Sequence, residues 1–530
     1  MLGSCASCSL AARARTVPVP WLAGLALLAA LAATGAGAHP PDTEPGQTPV
    51  DGMCVVEAVD GDTDGDGGDF DGCDITPVVD RERRRPEGSE AARLRRFARQ
   101  LRAPGTAVED PCADETSGCR PALAGAFDAF DRAVAVNDRA GVVVFGNSLI
   151  AADRIVNVLR RRLTEQLGDG GRGFLLADRL GTVGPRDRTA ADASGWVAAS
   201  VADIEAPPDT RGAPHGVAGA AHVSLGPALS RFRLAGEDEV TVLGWAQPGK
   251  PGLSVRVDGG RWHPLLAVDV AASSGVVGSP ILHRLHLPAG ARSLDLRTTG
   301  RGSVVHGVAV EHERGGVVVD TFGVAAADAP RFLTVDEGIF HSELDARRPD
   351  LVVLMLGGNE TKRVAWKQQS IDDVAVHLRA LIRRTRPGVD RSCLVVGPID
   401  AVVGNDAKEG QDPLTRRPEL VTVNDIHRHV ALGEGCAFID LYAAMGGTGS
   451  LVRLQAVDAL HDDLVHPREQ GLAMLGQLVA DAVLLAWRTT PHGGGPWRHT
   501  PRPPAFAVAT TLDERAASRS PASSPSAPPL

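Results

Sequence analysis

The sequence predicts an α/β protein with a mostly parallel sheet, interrupted by an inserted antiparallel β-sandwich. Three observations lead there. Continuous apolar runs at 142–145, 351–356, 394–397 and 438–441 alternate with helical patterns, the texture of βαβ units whose strands are covered on both faces. Between about 184 and 314 the helices give way to short alternating segments, such as 239–245, 253–257 and 293–297, separated by turns at Asp258-Gly259-Gly260 and Pro288-Ala289-Gly290. Short strands with regular turn signals indicate a sandwich. Helix–strand alternation then resumes at Gly316-Val317-Val318-Val319-Asp320, so the insert splits one α/β domain into 86–183 and 315–488.

Residues 1–38 read as a signal peptide: Arg13 and Arg15 precede an apolar stretch at 21–33, and Ala36-Gly37-Ala38 forms a small-x-small cleavage pattern. No cysteine follows that site, which argues against a lipid anchor, and no later segment reads as long and apolar enough to span a bilayer. The mature protein is expected to be exported, to a periplasm or outside the cell, with no transmembrane segment.

Residues 39–85 form an acidic, Asp/Gly-rich linker. Asp60, Asp62 and Asp64 have the D-x-D-x-D-G spacing of a calcium loop, but position twelve is Asp71 rather than Glu and no flanking helices are evident. A solvated acidic linker is the preferred reading over a calcium site; no other metal and no cofactor is expected. Helical patterns follow at about 90–101 and 121–134, then the apolar run ending in Gly146-Asn147-Ser148, then a helix continuing to about Leu167. From 489 to 530 the chain is rich in Pro, Ser and Ala and is expected to be a disordered tail.

Of the eight cysteines, Cys5 and Cys8 leave with the signal. The remainder, Cys54, Cys73, Cys112, Cys119, Cys393 and Cys436, favour disulfides in an oxidising compartment. Sequence proximity suggests Cys54–Cys73 and Cys112–Cys119. Cys393 and Cys436 each precede a strand-like run, so adjacent strands could bring them together. Trp196, Trp245 and Trp262 fall in the insert, where core packing competes with stacking on a sugar. The net charge of −10, with no clustered basic stripe, excludes a nucleic-acid partner on electrostatic grounds.

Three strand ends carry chemistry. Ser148 follows a buried strand and opens a helix, where free N–H groups favour developing negative charge; a plain N-cap is the competing reading. Asn359, in Gly357-Gly358-Asn359-Glu360, ends a second strand and could donate its amide to an oxyanion, or simply form a turn. Gly323 ends a third, with a backbone N–H to offer or a turn to make. Asp463-Leu464-Val465-His466-Pro467 places a carboxylate three residues before an imidazole, with Pro467 suited to the first turn of the helix that runs to Trp487. His461 is a nearby decoy. Acyl transfer by serine needs this set: a base, a group orienting it, and oxyanion donors.

Together, Ser148, Gly323, Asn359 and His466 resemble, in order and context, the blocks of the SGNH (GDSL-type) hydrolase superfamily. Gly357-Gly358-Asn359-Glu360 is similar to its G-x-N-D/E block and Asp463-Leu464-Val465-His466 to its D-x-x-H block. The resemblance covers roughly 90–488. It implies a flavodoxin-like three-layer α/β/α fold with Ser148 as nucleophile, His466 as general base and Asp463 orienting it. Ser148 and Gly323 N–H groups and the Asn359 amide would form the oxyanion hole. With a jelly-roll-like sandwich inserted after the first block, the chain looks like exported relatives of bacterial peptidoglycan O-acetylesterases, whose insert resembles a carbohydrate-binding module. Two departures stand out: Asn147 replaces the usual Asp, and Val324-Ala325-Ala326 lacks an Asn often found after the glycine. The expected function is removal of O-acetyl groups from an acetylated glycan, with peptidoglycan the leading polymer. The alternatives are a broad carboxylesterase or lipase, an O-acetyltransferase, or a glycan-binding surface protein with a vestigial hydrolase domain. Aromatic residues at 4% weigh against a lipase.

Overall fold

The computed structural model describes residues 88–112, 119–180, 188–267, 277–386, 391–490, 492 and 508–511. The acidic segment with Asp60, Asp62 and Asp64, and Cys54 and Cys73, lie outside the described residues.

Five strands, β1 (Ala140–Gly146), β2 (Val317–Gly323), β3 (Leu351–Met355), β4 (Ser392–Val396) and β5 (Ala437–Ile439), form one sheet. Its order is β2-β1-β3-β4-β5 and every pairing is parallel, which is the flavodoxin-like doubly wound arrangement. The unbroken apolar runs have a direct cause: successive side chains enter cores on opposite faces. Val142, Val144, Val353 and Leu394 point to a core shared with Phe97, Phe127, Leu159 and Leu475. Val143, Phe145, Val352 and Val395 point to another, shared with Phe332, Phe340, Leu381 and Val430. Helices Ser89–Gln100, Ala124–Val136, Arg154–Leu167 and Glu469–Thr489 supply the first cover. Helices Glu337–Arg347, Ile371–Thr385 and Glu419–Gly433 supply the second.

The last helix corrects one expectation. Glu469–Thr489 is long and apolar enough to cross a membrane by length and composition, yet 83% of its apolar window is buried inside the fold. At Gly476 it approaches Arg154–Leu167 so closely that a Cβ would sit 2.6 Å from the Ile155 carbonyl oxygen. It is a core helix. Its start also differs from the sequence reading: Pro467 pairs in an isolated bridge with Leu460, and the helix begins two residues later.

Cys393 and Cys436 sit side by side at the start of β4 and just before β5, with Cα atoms 4.7 Å apart, and are disulfide-bonded. Cys112 and Cys119 are bonded as well.

The insert is a β-sandwich made from one antiparallel sheet that curls on itself. Ala220–Arg233 belongs to both layers: its first half pairs with Val304–Glu311 and its second with Ser293–Thr298, while Asp192–Ser200 runs beside both halves. Val240, Val242, Ile281 and Val308 from one layer meet Phe232, Leu253, Leu294 and Leu296 from the other. Trp196 and Trp245 are buried, and the guanidinium groups of Arg256 and Arg297 lie over the Trp262 ring, 4.5 and 3.8 Å from its centroid. Cation–π pairing therefore occupies the one half-exposed ring of the three. Within the range assigned to the tail, Val508–Thr511 adds a parallel strand beside Ser279–His286.

A buried ionic seam joins insert and parallel sheet. Glu311, from the sandwich, accepts from Arg139 at 3.0 Å and pairs with Arg347, which also holds Asp320 of β2 at 2.7 Å. Arg348 reaches both Glu311 and Glu239. Burial alone would raise the Glu311 carboxyl, but Arg139, Arg347 and Arg348 hold it far below the usual carboxylate range. Asp320 also accepts from the Phe174 N–H at 2.7 Å, and Gly173–Leu175 pairs with the Val304–Glu311 strand.

Candidate active site

The turn after β1 separates two roles that the sequence left open. Asn147, not Ser148, is the N-cap: its Oδ1 accepts from the Leu149 N–H at 3.1 Å. Ser148 is the first residue of the short helix Ser148–Ala151, so its own N–H has no intrahelical partner and its hydroxyl is free of capping. The helix does not run on to Leu167 as the pattern suggested. Asp153 takes a left-handed φ of 57° and breaks it. That strained residue is pinned by two contacts of 3.1 Å from Arg160 and by the Thr321 hydroxyl, while Arg160 also donates to the Val319 carbonyl. The Ser148 turn is thereby tied to β2.

His466 arrives from the loop before the last helix. Within that loop Leu464 is left-handed, with φ 56°, and the bend lets the Asp463 carboxylate fold back. Its Oδ1 accepts from the Val465 and His466 N–H groups at 2.9 and 3.0 Å, and its Oδ2 lies 2.7 Å from His466 Nδ1. Burial pushes the Asp463 carboxyl up, but these hydrogen bonds outweigh it and hold it below the ordinary carboxylate value. A carboxylate can only accept, so Nδ1 carries the proton and Nε2 is left as an acceptor. Nε2 lies 2.7 Å from the Ser148 Oγ. His461 takes no part in this chain; its backbone N–H bonds the His466 carbonyl at 2.9 Å.

Gly323 ends β2 in register with Gly146. A Cβ there would fall 2.3 Å from the Ala151 N, so only glycine lets this strand end approach the Ser148 helix. Asn359 is the second residue of helix Gly358–Ala365, and its Nδ2 donates to the Ala327 carbonyl at 2.7 Å. That bond fixes the amide and leaves its other N–H uncommitted. Next to it Glu360 accepts from Gly357 N–H at 2.8 Å and Ala329 N–H at 3.2 Å. Burial and the nearby Asp328 carboxylate raise Glu360 to about 7. Asp328 in turn caps Ala329–Leu333 and pairs with Arg363 at 2.5 Å. Asn359 and Glu360 thus staple the turn after β3 to the segment after β2.

Hydrogen bonds join Ser148, His466 and Asp463, Gly323 approaches the short Ser148–Ala151 helix, and Asn359 stands in the turn after β3, bonded to the Ala327 carbonyl. The sequence reading missed Asp153, Arg160, Thr321 and Asp328, which brace these segments. Among the described residues, no group of three or more His, Cys, Asp or Glu is placed to hold a metal ion. A hydroxyl, a neutral imidazole acceptor and an ionised carboxylate in series can deprotonate the hydroxyl as it attacks an acyl carbon.

Residues 289–474 match the model of the GDSL-like lipase/acylhydrolase family. That span holds Gly323, Asn359, Asp463 and His466 and begins after the Ser148 block. No curated protein matches the sequence significantly. Among solved structures, a peptidoglycan O-acetylesterase superposes with a TM-score of 0.52 at 18% identity, covering 72% of this chain and 99% of that one. This likeness shows the fold. A family two carbohydrate esterase from Clostridium thermocellum, at 11% identity, covers 52% of this chain and 99% of its own with a TM-score of 0.24, and a salicylyl-acyltransferase of a tetracycline biosynthetic pathway, at 12% identity, covers 55% and 91% with the same score; neither carries weight at that score. Residues 289–474 are thus similar to GDSL-like lipase/acylhydrolases, within a fold like that of the peptidoglycan O-acetylesterase structure and interrupted by a β-sandwich, and these findings support a hydrolase of ester bonds.

Proposed function

We propose that this protein is an exported serine esterase that removes O-acetyl groups from a carbohydrate polymer, with peptidoglycan as the leading substrate. The observation that supports it most is the unbroken series Ser148 Oγ–His466 Nε2–Asp463, at 2.7 and 2.7 Å. In this reading His466 takes the Ser148 proton as Oγ bonds to the acetyl carbon. The oxyanion is met by the Ser148 and Gly323 N–H groups and the Asn359 amide, each such donor contributing about 3–4 kcal/mol. The sugar oxygen leaves with the proton from His466, and water, deprotonated by the same imidazole, releases acetate. Export follows from the N-terminal pattern at 13–38 and is compatible with the two disulfides.

Acetate release from O-acetylated peptidoglycan and from acetylated xylan, followed side by side, tests the substrate. Preference for peptidoglycan supports the reading; preference for xylan reassigns the polymer. Ser148→Ala with an unchanged melting temperature should abolish release from both. Equal release by wild type and variant would remove Ser148 from the mechanism.

A further inference from the structure

Where the sandwich meets helix Glu337–Arg347, a histidine and a glutamate face each other away from water. His306 comes from the strand Val304–Glu311 and Glu343 from the helix, and each side chain is only 1% exposed. His306 Nδ1 is hydrogen-bonded to Glu343 Oε1, and its Nε2 lies 3.0 Å from the Pro214 carbonyl oxygen. The other Glu343 oxygen accepts from the Val217 N–H at 2.8 Å. A carbonyl oxygen only accepts, so Nε2 carries a proton, and the contact between Nδ1 and Oε1 must hold another. The pair is an imidazolium beside a carboxylate, or a neutral ring beside a carboxylic acid. A neutral ring beside an ionised carboxylate cannot make these bonds. In either tautomer two lone pairs would then face each other in apolar surroundings.

The pair clamps the loop 214–219. Its backbone passes so close that a Cβ on Gly216 would lie 2.5 Å from His306 Cβ and 2.7 Å from Glu343 Oε2. Further along, the Gly219 carbonyl accepts from the Val201 N–H at 2.9 Å, and a Cβ on Gly219 would lie 3.1 Å from the Val324 side chain. Val324 follows Gly323 and, with Ala202, lines the cleft beside the Ser148 turn. Among the described residues, no neighbouring cation takes the place of the shared proton. His222, on Ala220–Arg233, is bonded to the Asp178 carbonyl at 2.8 Å and pushed down to about 4 by burial. His215, in the loop itself, is held below its ordinary value by burial and by His306, against the pull of Asp203. One turn along the helix, Arg347 is paired with Glu311 and Asp320. Arg284, on Ser279–His286, lies beside Glu239, and Arg384 of Ile371–Thr385 donates to the Leu333 and Val335 carbonyls.

We propose that His306 and Glu343 form a proton-held latch: with one proton between them the loop 214–219 is clamped to sandwich and helix, and loss of that proton as pH rises frees the loop. The proton passes to water or hydroxide. His306 keeps its Nε2–H, Glu343 keeps its charge, and the contact between them parts. A freed loop no longer backs Val324, so the cleft wall beside Gly323 loosens with it.

Amide hydrogen exchange of the full mature protein, followed from about pH 5 to about pH 9 across the imidazole range, reads the latch through the Gly216, Val217 and Gly219 N–H groups. After correction for the base-catalysed rise in intrinsic rate, protection of the 214–219 peptides should fall by about tenfold or more. Core peptides around Val142–Phe145 should keep theirs. Glu343→Gln supplies the comparison. Its amide can donate to Nδ1 and accept from the Val217 N–H, which satisfies a neutral ring, so protection of 214–219 should not change with pH. Constant protection in the wild type, an equal fall in the variant, or a fall shared by the core peptides overturns the latch. Should Glu343→Gln not fold, the wild-type series decides alone: a fall confined to 214–219 supports the latch and constant protection overturns it.

Discussion

The Ser148 hydroxyl oxygen stands 2.7 Å from His466 Nε2 across 318 residues of chain. No local preference brings them together. Ser148 is held by β1 and by the Asp153–Arg160 brace, and His466 by a loop whose following helix packs on Arg154–Leu167 at Gly476. The core helices on one face of the sheet thus set the distance between the two reacting groups.

Asp463→Asn should keep the loop but favour the wrong imidazole tautomer, since an amide can donate to Nδ1. We expect kcat to fall by roughly 10²–10⁴-fold with little change in KM. In the wild type, the Asp463 carboxyl is held below its ordinary value. Its contribution to stability is therefore present above the unfolded pKa of about 3.9 and is lost as pH falls through the lower folded value. Steady-state kinetics at neutral pH check the first point; a variant as active as wild type would remove Asp463 from the relay.

Gly323→Ala places a methyl group 2.3 Å from the Ala151 N. Backbone must move, and what moves carries Ser148. A displacement approaching 1 Å costs about 10²-fold in rate, so kcat should fall while the fold survives. A kcat within about twofold of wild type would mean that the turn gives way elsewhere.

Much of this was legible beforehand, and the reasons can be named. The strands of the parallel sheet announce themselves because both faces are buried, so every residue from Val142 to Phe145 must be apolar. Ser148 and Asn359 were legible because each follows such a run, and His466 because a carboxylate stands three residues before it. The brace was not: Asp153 looks like any helical residue in a helix pattern, and its left-handed φ depends on Arg160 and Thr321, one of them more than a hundred and fifty residues away. The last helix is apolar enough to cross a membrane although the sequence reading found no such segment, because an apolar composition records burial without saying what does the burying. Trp262 was legible as an insert residue, but its two arginine partners come from different strands.

Asn147→Asp should be nearly neutral. The Oδ1 that caps Leu149 N–H is retained, and a negative charge at a helix start is electrostatically favoured. Turnover of acetyl esters should stay within about threefold of wild type. A larger loss would show that the Asn147 amide hydrogens matter, which lie near Gly358.

Glu360 gives a pH signature to stability. Its folded pKa of about 7 lies above the unfolded value of about 4.3. Between those values the folded chain retains a proton that the unfolded chain has released, so stability falls as pH rises across that window and levels off above it. Glu360→Gln has no such proton to lose. Urea unfolding at pH 5 and pH 8 should show wild type losing on the order of a few kcal/mol relative to the variant; equal pH dependence would falsify the assignment.

The seam of Arg139, Arg347, Glu311 and Asp320 makes the sandwich inseparable from its host. Glu311 of the sandwich is buried against Arg139 and Arg347 of the host, so removing the sandwich deprives those guanidinium groups of a partner in apolar surroundings, at about 3–5 kcal/mol for each broken pair. Heating should therefore melt both parts in a single cooperative transition. A freely exchanged module can be lost or swapped during descent; one welded in this way must change together with the enzyme that holds it.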